Sequence, residues 1–252
     1  MEQLLVADSF RVRLRAGTAE VRGFDLHLAR FAAGVAQTPD AQHSARGSRT
    51  AFEAFMAEAP GLIAAGGEGF PRLEAGLDPG TGELSFGVRI RELPRLGDSV
   101  ELRSAPSAGL VAPRVKGPNI SRLAELNRAL GAEALLIDGA GRAVEGATTS
   151  LLWWDAGTLC VVASDQRIDS VTERLLLGIA ERLGVPSERR SLTATGLAAH
   201  EVWAVNALHG IRPVAAVDGT ATTAPEKARL RTFLDELDAT WRPVHGARAR
   251  DT

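Results

Sequence analysis

Tyrosine is absent from this 252-residue chain, cysteine occurs once, and lysine occurs only twice. Without tyrosine, no mechanism can take a phenol from the chain itself. The single cysteine, Cys160, excludes an internal disulfide and any zinc site built from several thiolates. Its apolar neighbours in Leu159–Val162 favour a small buried hydrophobe over a reactive thiol.

Long apolar runs and a large net charge are missing as well. No run approaches the roughly 20 apolar residues that span a bilayer, and Met1–Leu5 lacks the basic region and long apolar core of a signal peptide. The formal net charge of −2 gives no electrostatic reason to expect nucleic acid or a membrane as a partner. We therefore expect a cytoplasmic protein, and we predict no metal site.

The shortage of lysine makes both lysines informative. The 29 basic residues comprise 27 arginines and the lysines Lys116 and Lys227. Arginine supplies charge and phosphate contacts, but its guanidinium stays protonated and cannot act as an amine nucleophile. Schiff-base chemistry needs a primary amine that can lose its proton. Lys227 opens a charged helical segment, whereas Lys116 follows a proline-rich stretch, so Lys116 is the stronger candidate for chemistry.

A shift in composition divides the chain into two parts. Between Ser104 and Pro113 the residues are mainly Pro, Ala, Gly and Ser, which is typical of an interdomain joint. We predict a first domain at 1–106, a joint at 107–113 and a second domain at 114–252.

Hydrophobic periodicity in the first part predicts both strands and helices. Leu4–Leu14 reads as extended chain, Phe24 to Val35 as a helix, and a second helix is predicted to end at Pro60-Gly61. Alternating residues over Phe70–Asp78 and Glu83–Glu92, joined by a Pro-Gly-Thr-Gly turn, predict a hairpin.

The second part alternates short strands with helices. Helices are predicted over Ile120–Leu130, from Val171 to Leu183 and over Glu226–Trp241. Trp153 and Trp154 are predicted to place one ring on each face of a strand. The predicted strands are Ala134–Ile137, Ala143–Gly146, Ser150–Trp154, Leu159–Ala163, Glu201–Leu208 and Arg212–Val217.

Short motifs then occur in an order that is typical of one enzyme family. They are His27-Leu28-Ala29-Arg30, Lys116-Gly117-Pro118-Asn119, Val144-Glu145-Gly146-Ala147-Thr148-Thr149, Ser170-Val171-Thr172-Glu173-Arg174 and Asn206-Ala207-Leu208. The chain resembles the class IV (fold type IV) pyridoxal-phosphate enzymes from about Ala7 to Val217. This family contains branched-chain and D-amino-acid aminotransferases and aminodeoxychorismate lyase.

The resemblance implies a two-domain α/β (α+β) fold like that of D-amino-acid aminotransferase. It also implies pyridoxal 5'-phosphate as cofactor, a small amine or amino-acid substrate, and a homodimer. Lys116 matches the lysine that forms the Schiff base, Arg30 the arginine that grips the cofactor phosphate, and Glu145 the glutamate that faces the pyridine nitrogen. The other matches lie in cofactor-binding turns: Thr148 and Thr149, Ser170, Val171 and Thr172, and Asn206 and Ala207.

Each motif also has a purely structural interpretation. Ser170 to Glu173 forms a capping box by sequence, and Arg30 could be a solvated helix arginine. A histidine such as His27 more often packs than catalyses, and Glu145 could be a plain turn residue. A degenerate, non-catalytic relative that only binds ligands therefore stays an alternative.

Departures from the family pattern bear on the reaction. Branched-chain and D-amino-acid aminotransferases use tyrosines near the cofactor or substrate, whereas aminodeoxychorismate lyases have a Lys-x-x-Asn pattern and can carry Asn-Ala-Leu. Ser170 replaces the usual glycine of the phosphate loop, and Ala207 stands where many aminotransferases place a hydroxyl. We expect a lyase that converts 4-amino-4-deoxychorismate to 4-aminobenzoate and pyruvate. A class IV aminotransferase is the alternative.

Arginines at alternate strand positions are candidates for binding substrate carboxylates, namely Arg11, Arg13, Arg89 and Arg91. They could equally be solvent-facing residues of a sheet.

Overall fold

A computed structural model describes residues 3–38, 46–78, 80 and 82–244, and the chain divides into two compact units. The first unit comprises Met1–Arg95, Val115–Pro118 and Trp241–Thr252, and the second comprises Leu96–Arg114 and Asn119–Thr240. Both units contain strands and helices, which confirms the predicted α/β class. The unit limits differ from the predicted domain limits, since the predicted joint lies within the second unit and the Lys116 segment belongs to the first.

Within its described residues, the first unit contains two helices and two three-stranded sheets, with strand orders β1-β4-β5 and β15-β3-β2. The elements are β1 (Gln3–Ser9), β2 (Val12–Arg15), β3 (Thr18–Arg22), α1 (Phe24–Ala36), α2 (Arg46–Gly66), β4 (Arg72–Leu77), β5 (Leu84–Arg89) and β15 (Trp241–Pro243). The predicted hairpin is confirmed by the antiparallel pairing of β4 with β5. Residues 79 and 81 of its turn lie outside the described residues.

Helix α2 does not end at Pro60 as predicted but continues to Gly66. Phe55, Ala59 and Ile63 recur every four residues, and all three are buried. This apolar stripe continues through the proline, so burial outweighs the backbone hydrogen bond that proline removes. The ring of Phe55 lies 5.9 Å from that of Phe31 on α1.

The second unit contains a nine-stranded sheet with the order β11-β10-β9-β12-β13-β6-β7-β8, to which β14 is added by pairing with β13. Its strands are β6 (Val100–Pro106), β7 (Glu133–Ile137), β8 (Ala143–Gly146), β9 (Ser150–Asp155), β10 (Thr158–Val162), β11 (Ser187–Arg190), β12 (Glu201–Asn206), β13 (Gly210–Val217) and β14 (Thr220–Ala221). Its helices are α3 (Ile120–Leu130), α4 (Val171–Arg182), α5 (Ala194–Ala198) and α6 (Lys227–Asp238).

Helices cover both faces of this large sheet. Trp154 packs in the cluster that includes α4 and α6, whereas Trp153 packs with residues of α5. The prediction of one ring on each face is therefore confirmed, because neighbouring residues of a strand point to opposite sides. Cys160 is fully buried, as predicted for a small hydrophobe.

The terminal helix is shorter than predicted. It ends at Asp238, and Trp241 lies in β15, which pairs with β3 of the first unit. The indole is only 5% exposed and has the Arg13 and Arg22 guanidiniums 4.6 and 4.4 Å from its ring centroid. These contacts with residues far away in sequence fix a strand where local periodicity favoured a helix.

Candidate functional site

The Lys116 segment is fastened to strand β1. The Ala7 amide donates a hydrogen bond of 2.7 Å to the Lys116 carbonyl. A Cβ at Gly117 would lie 2.6 Å from the Leu5 carbonyl oxygen and 2.7 Å from the Val6 Cα, so only glycine fits at this close approach. The main chain at Lys116 is therefore held against β1 by a hydrogen bond and a close backbone contact, and the residue is half-buried.

The same strand carries Asp8, whose carboxylate is completely buried. Arg30 on α1 donates to both oxygens, from Nε at 2.7 Å and from Nη2 at 2.8 Å. His27 Nδ1 lies 2.7 Å from the Asp8 Oδ1. Strand β1 thus anchors both Lys116 and Arg30 in the first unit.

Charge balance sets the protonation states in this cluster. Burial alone would raise the pKa of Asp8, but the Arg30 guanidinium and the bonded His27 bring that pKa far below its ordinary value. Burial lowers the pKa of His27 and outweighs the opposing effect of Asp8, while Arg30 and Lys116 lower it further. His27 also packs 4.9 Å from the Phe10 ring, which agrees with a packing role.

Arg13 and Arg89, two of the four predicted carboxylate-binding arginines, are already paired with acidic residues. Arg13 Nε donates to Glu20 at 2.8 Å, and Arg89 Nε donates to Glu74 at 2.8 Å. The Arg89 side chain is 61% exposed, so it is the solvent-facing sheet residue of the alternative interpretation.

Arg11 and Arg91 form no ion pair with any residue that the structure describes. Arg91 donates to the Phe70 carbonyl at 3.0 Å and to Ser9 Oγ at 2.9 Å. The Arg11 guanidinium lies 5.9 Å from the Trp241 ring, and its buried Nε lacks a hydrogen-bond partner in the described part of the chain. These two arginines keep charge available for an anionic ligand.

In the second unit, Glu145 is the next-to-last residue of the buried strand β8, and it interacts with Arg167 of a buried ion pair. Its carboxylate is 6% exposed and accepts a hydrogen bond of 3.2 Å from the Ile168 amide. Arg167 donates to both oxygens of Glu173, at 2.7 and 2.6 Å. Although burial alone would lower the pKa of Arg167, its hydrogen bonds to Glu173 raise it, and Glu145 adds to the increase.

The predicted phosphate loop begins helix α4. Ser170 Oγ accepts a hydrogen bond of 3.3 Å from the Glu173 amide, but the Glu173 carboxylate bonds to Arg167 instead of returning to Ser170. Only half of the capping box is therefore formed. Among the described residues, the Val171 and Thr172 amides have no hydrogen-bond partner, and a helix start of this kind attracts anions.

The Thr148–Thr149 turn is organised by Glu133 at the start of β7. The amide and hydroxyl of Thr148 both donate to Glu133 Oε1 at 2.9 Å, and the Thr149 hydroxyl donates at 2.7 Å. Arg212 donates to the other oxygen at 3.2 Å. Thr148 is exposed, whereas Thr149 is only 4% exposed.

Asn206 joins the late turn to the threonine turn. Its Nδ2 donates to the Thr148 carbonyl at 3.3 Å, and its Oδ1 accepts from the Leu208 and His209 amides at 3.1 and 2.9 Å. The side chain therefore shapes the turn, while Ala207 stands half-buried beside it. Two of the motifs that are distant in sequence are in direct contact.

Sequence reasoning missed Asp8, Glu133 and Arg167. A weak signal existed for the two acids, because Asp8 follows Val6-Ala7 in an apolar strand and Glu133 opens the apolar run Ala134–Leu136. No local pattern indicates that Arg167 pairs with Glu173. Among the described residues, no cluster of His, Cys, Asp or Glu could hold a metal ion, and no helix is long and apolar enough to cross a membrane.

Solved structures with the same fold include several aminotransferases. A branched-chain amino acid aminotransferase from T.th. matches with a TM-score of 0.75 and 18% identity over 95% of this chain and 89% of its own. A hypothetical aminotransferase from Mycobacterium tuberculosis matches with a TM-score of 0.68 and 19% identity over 93% and 88%. A fold IV-transaminase from Curtobacterium pusillum matches with a TM-score of 0.69 and 22% identity over 93% and 84%.

No curated protein matches the chain. The family model described as "Amino-transferase class IV" matches residues 6–217, which is most of the sequence and includes every motif above. The chain therefore belongs to the class IV aminotransferase family, a family of pyridoxal-phosphate-dependent enzymes.

Proposed function

We propose that Lys116 binds the aldehyde of pyridoxal phosphate and that the enzyme acts on a small amine or amino acid. The observation that carries this proposal is the attachment of the Lys116 main chain to strand β1. Its main chain is hydrogen-bonded to β1, and β1 also carries the carboxylate that orients Arg30. A fixed main chain keeps the lysine amine close to a bound aldehyde, so less entropy is lost when the two groups react.

The residues present fit the other parts of the cofactor. The Val171 and Thr172 amides at the start of α4, which have no hydrogen-bond partner in the described part of the chain, would receive the phosphate dianion. Arg30 would add the positive charge of its guanidinium, which Asp8 orients through hydrogen bonds from Nε and Nη2. Glu145 would face the ring nitrogen, and its carboxylate accepts a hydrogen bond from the Ile168 amide.

The bound cofactor supplies an electron sink for the bond that breaks in the substrate. The protein residues hold and move protons around it. The Glu145 carboxylate would keep a proton on the ring nitrogen, and buried Arg167 would stabilise that carboxylate. Lys116, once displaced by the substrate amine, would move a proton as a general base and acid at Nζ.

We further propose that the reaction is that of a lyase on 4-amino-4-deoxychorismate, giving 4-aminobenzoate and pyruvate. The absence of tyrosine supports this proposal, because the aminotransferases that the chain resembles use tyrosines around the cofactor or substrate. Arg11 and Arg91 are the arginines best suited to the substrate carboxylates, because neither forms an ion pair among the described residues.

The second candidate is an aminotransferase that moves an amino group from an amino acid to a 2-oxo acid. The family match favours it, since the matching model describes amino-transferases. Incubation of the purified enzyme with 4-amino-4-deoxychorismate separates the two candidates. Pyruvate release supports the lyase. No pyruvate, together with conversion of the cofactor to its amine form by an amino acid, would reject the lyase in favour of the aminotransferase.

Covalent attachment of the cofactor is tested by Lys116→Ala. We expect wild-type protein with added pyridoxal phosphate to absorb near the edge of the visible range and to keep the cofactor after borohydride reduction. Lys116→Ala should lose this attachment, whereas Lys227→Ala, the matched control, should retain it. Wild-type protein without such absorbance would instead favour a non-catalytic binding protein.

A homodimer is also a proposal, which the family resemblance supports. Sedimentation equilibrium on the purified protein tests it, with twice the chain mass of 26.6 kDa as the expected result.

A further inference from the structure

Glu133 is a buried carboxylate that the proposed chemistry does not use. It is 7% exposed and receives four hydrogen bonds, from the Thr148 amide, the Thr148 and Thr149 hydroxyls, and Arg212. A buried charge is tolerated when donors of this kind surround it. These donors come from the Thr148–Thr149 turn and from β13, so a single side chain ties the turn to the central sheet.

The turn has little freedom to move away from this carboxylate. A Cβ at Gly146 would lie 2.8 Å from Glu133 Oε1 and 2.2 Å from the Thr149 hydroxyl oxygen, so the glycine makes room for both. The Thr148 carbonyl is also engaged, because it accepts from Asn206 Nδ2. Both backbone polar groups of Thr148 are thus already used.

The direction of the bonds determines what the turn can bind. An ionised carboxylate only accepts hydrogen bonds, so each threonine hydroxyl must donate its hydrogen to Glu133. The exposed Thr148 hydroxyl can then take part in further hydrogen bonds only as an acceptor, through its lone pairs. Phosphate and carboxylate groups need donors, and the Thr148 hydroxyl has none left to offer.

We infer that Glu133 is a positioning residue of the cofactor-binding turn and that it makes the Thr148 hydroxyl a hydrogen-bond acceptor. The Thr148 hydroxyl oxygen accepts a hydrogen bond from an N–H or O–H of the cofactor or substrate, and the cofactor phosphate is bound by other residues. This inference rests on the proposed function for the identity of the ligand, but the role of Glu133 in the turn exists without any ligand.

The role in the turn is tested by hydrogen exchange on the protein without cofactor. Glu133→Ala should speed exchange of the Thr148 amide about tenfold or more, because its acceptor is lost. Glu133→Gln keeps an oxygen but loses the charge that pairs with Arg212, and should give a smaller increase. Glu101→Gln, on the exposed side of the neighbouring strand, should change nothing.

Unchanged exchange at Thr148 in Glu133→Ala would overturn the positioning role. If Glu133→Ala does not fold, the same measurement is made on Glu133→Gln. Exchange of the Thr148 amide that is no faster in Glu133→Gln than in Glu101→Gln would also overturn the positioning role.

The acceptor role is tested by comparing the dissociation constants of pyridoxal and pyridoxal phosphate. The relevant ratio is the Kd of pyridoxal divided by the Kd of pyridoxal phosphate. Thr148→Val should leave this ratio within about twofold of the wild-type value, because any disturbance of the turn affects both ligands alike. A drop in this ratio of about tenfold or more would show that Thr148 donates to the phosphate and would refute the inference.

Arg30→Gln serves as the positive control, since it should lower the same ratio. If wild-type protein binds neither ligand, or if Arg30→Gln leaves the ratio unchanged, the proposed function is at fault. The exchange measurement on the cofactor-free protein still decides the role of Glu133 in that case.

Discussion

Two buried charged residues, Asp8 and Arg167, each pair with an oppositely charged residue from another part of the chain. Asp8 is held by Arg30 and His27, and Arg167 is held by Glu173. Removing one partner of such a group leaves an uncompensated buried charge, which costs far more than the pair contributes. Substitutions at these positions should therefore have large effects on stability.

Asp8→Asn should lower the free energy of unfolding by about 3–5 kcal/mol, because Arg30 would lose its buried counter-charge. Urea denaturation followed by circular dichroism measures the change. Glu58→Gln, an exposed acid on α2, is the matched control and should stay within about 0.5 kcal/mol of wild type. A loss of less than about 1 kcal/mol for Asp8→Asn would contradict the proposed importance of the buried pair.

The pH dependence of stability should reveal His27. Its pKa is lowered in the folded protein by burial, so the unfolded chain binds a proton near pH 6.5 while the folded protein does not. Stability must then fall as the pH drops below about 6.5, by up to about 1.4 kcal/mol per pH unit. Asp8 does not contribute in this window, because its own lowered pKa affects stability only at pH values near 4 and below.

Urea denaturation between pH 7.5 and 5.0 tests this prediction. His27→Gln should lose stability less steeply than wild type over this range, although it is less stable at neutral pH. Parallel curves for the two proteins would show that His27 becomes protonated in the folded state.

At the scale of the element, one strand determines where the candidate lysine lies. β1 bonds the Lys116 carbonyl through Ala7, packs against Gly117 and carries Asp8. The segment Val115–Pro118 therefore belongs with the first unit although the residues on both sides of it belong to the second.

Gly117→Ala should disturb this attachment. The added Cβ would lie within 2.6–2.9 Å of three backbone atoms of Leu5 and Val6, and the φ of +150° is one that L residues rarely adopt. We expect a loss of stability of about 2 kcal/mol or more, together with weaker borohydride-fixed attachment of pyridoxal phosphate. Gly87→Ala has open space around its Cβ and should leave both measurements nearly unchanged.

At the scale of the whole molecule, cofactor binding should appear as stability. A ligand that binds only the folded state at 100 times its dissociation constant adds about 2.7 kcal/mol. Differential scanning fluorimetry should therefore show a higher Tm with pyridoxal phosphate than without it, and pyridoxine, which has no aldehyde or phosphate, should give a smaller shift. An equal shift in Lys116→Ala would indicate that the amine takes no part in binding.

Local patterns identified much of the secondary structure. The helix over Ile120–Leu130, the start of the helix at Val171 and the opposed faces of Trp153 and Trp154 follow from spacing alone. The failures at Pro60 and Trp241 have one cause, since burial against residues distant in sequence overrode local propensity.

The sequence by itself determined that the chain has two lysine amines, no phenol and one thiol, because the reactive groups of a chain depend only on which side chains it contains. Order and spacing of short motifs then sufficed to indicate the family. Only the tertiary structure decided which polar groups face each other. Asp8 accepts hydrogen bonds from Arg30, and Glu133 accepts hydrogen bonds from both threonine hydroxyls. Arg167 lies beside Glu145. Such contacts join residues 15 or more positions apart, and no local periodicity reports which distant side chain will satisfy a buried charge.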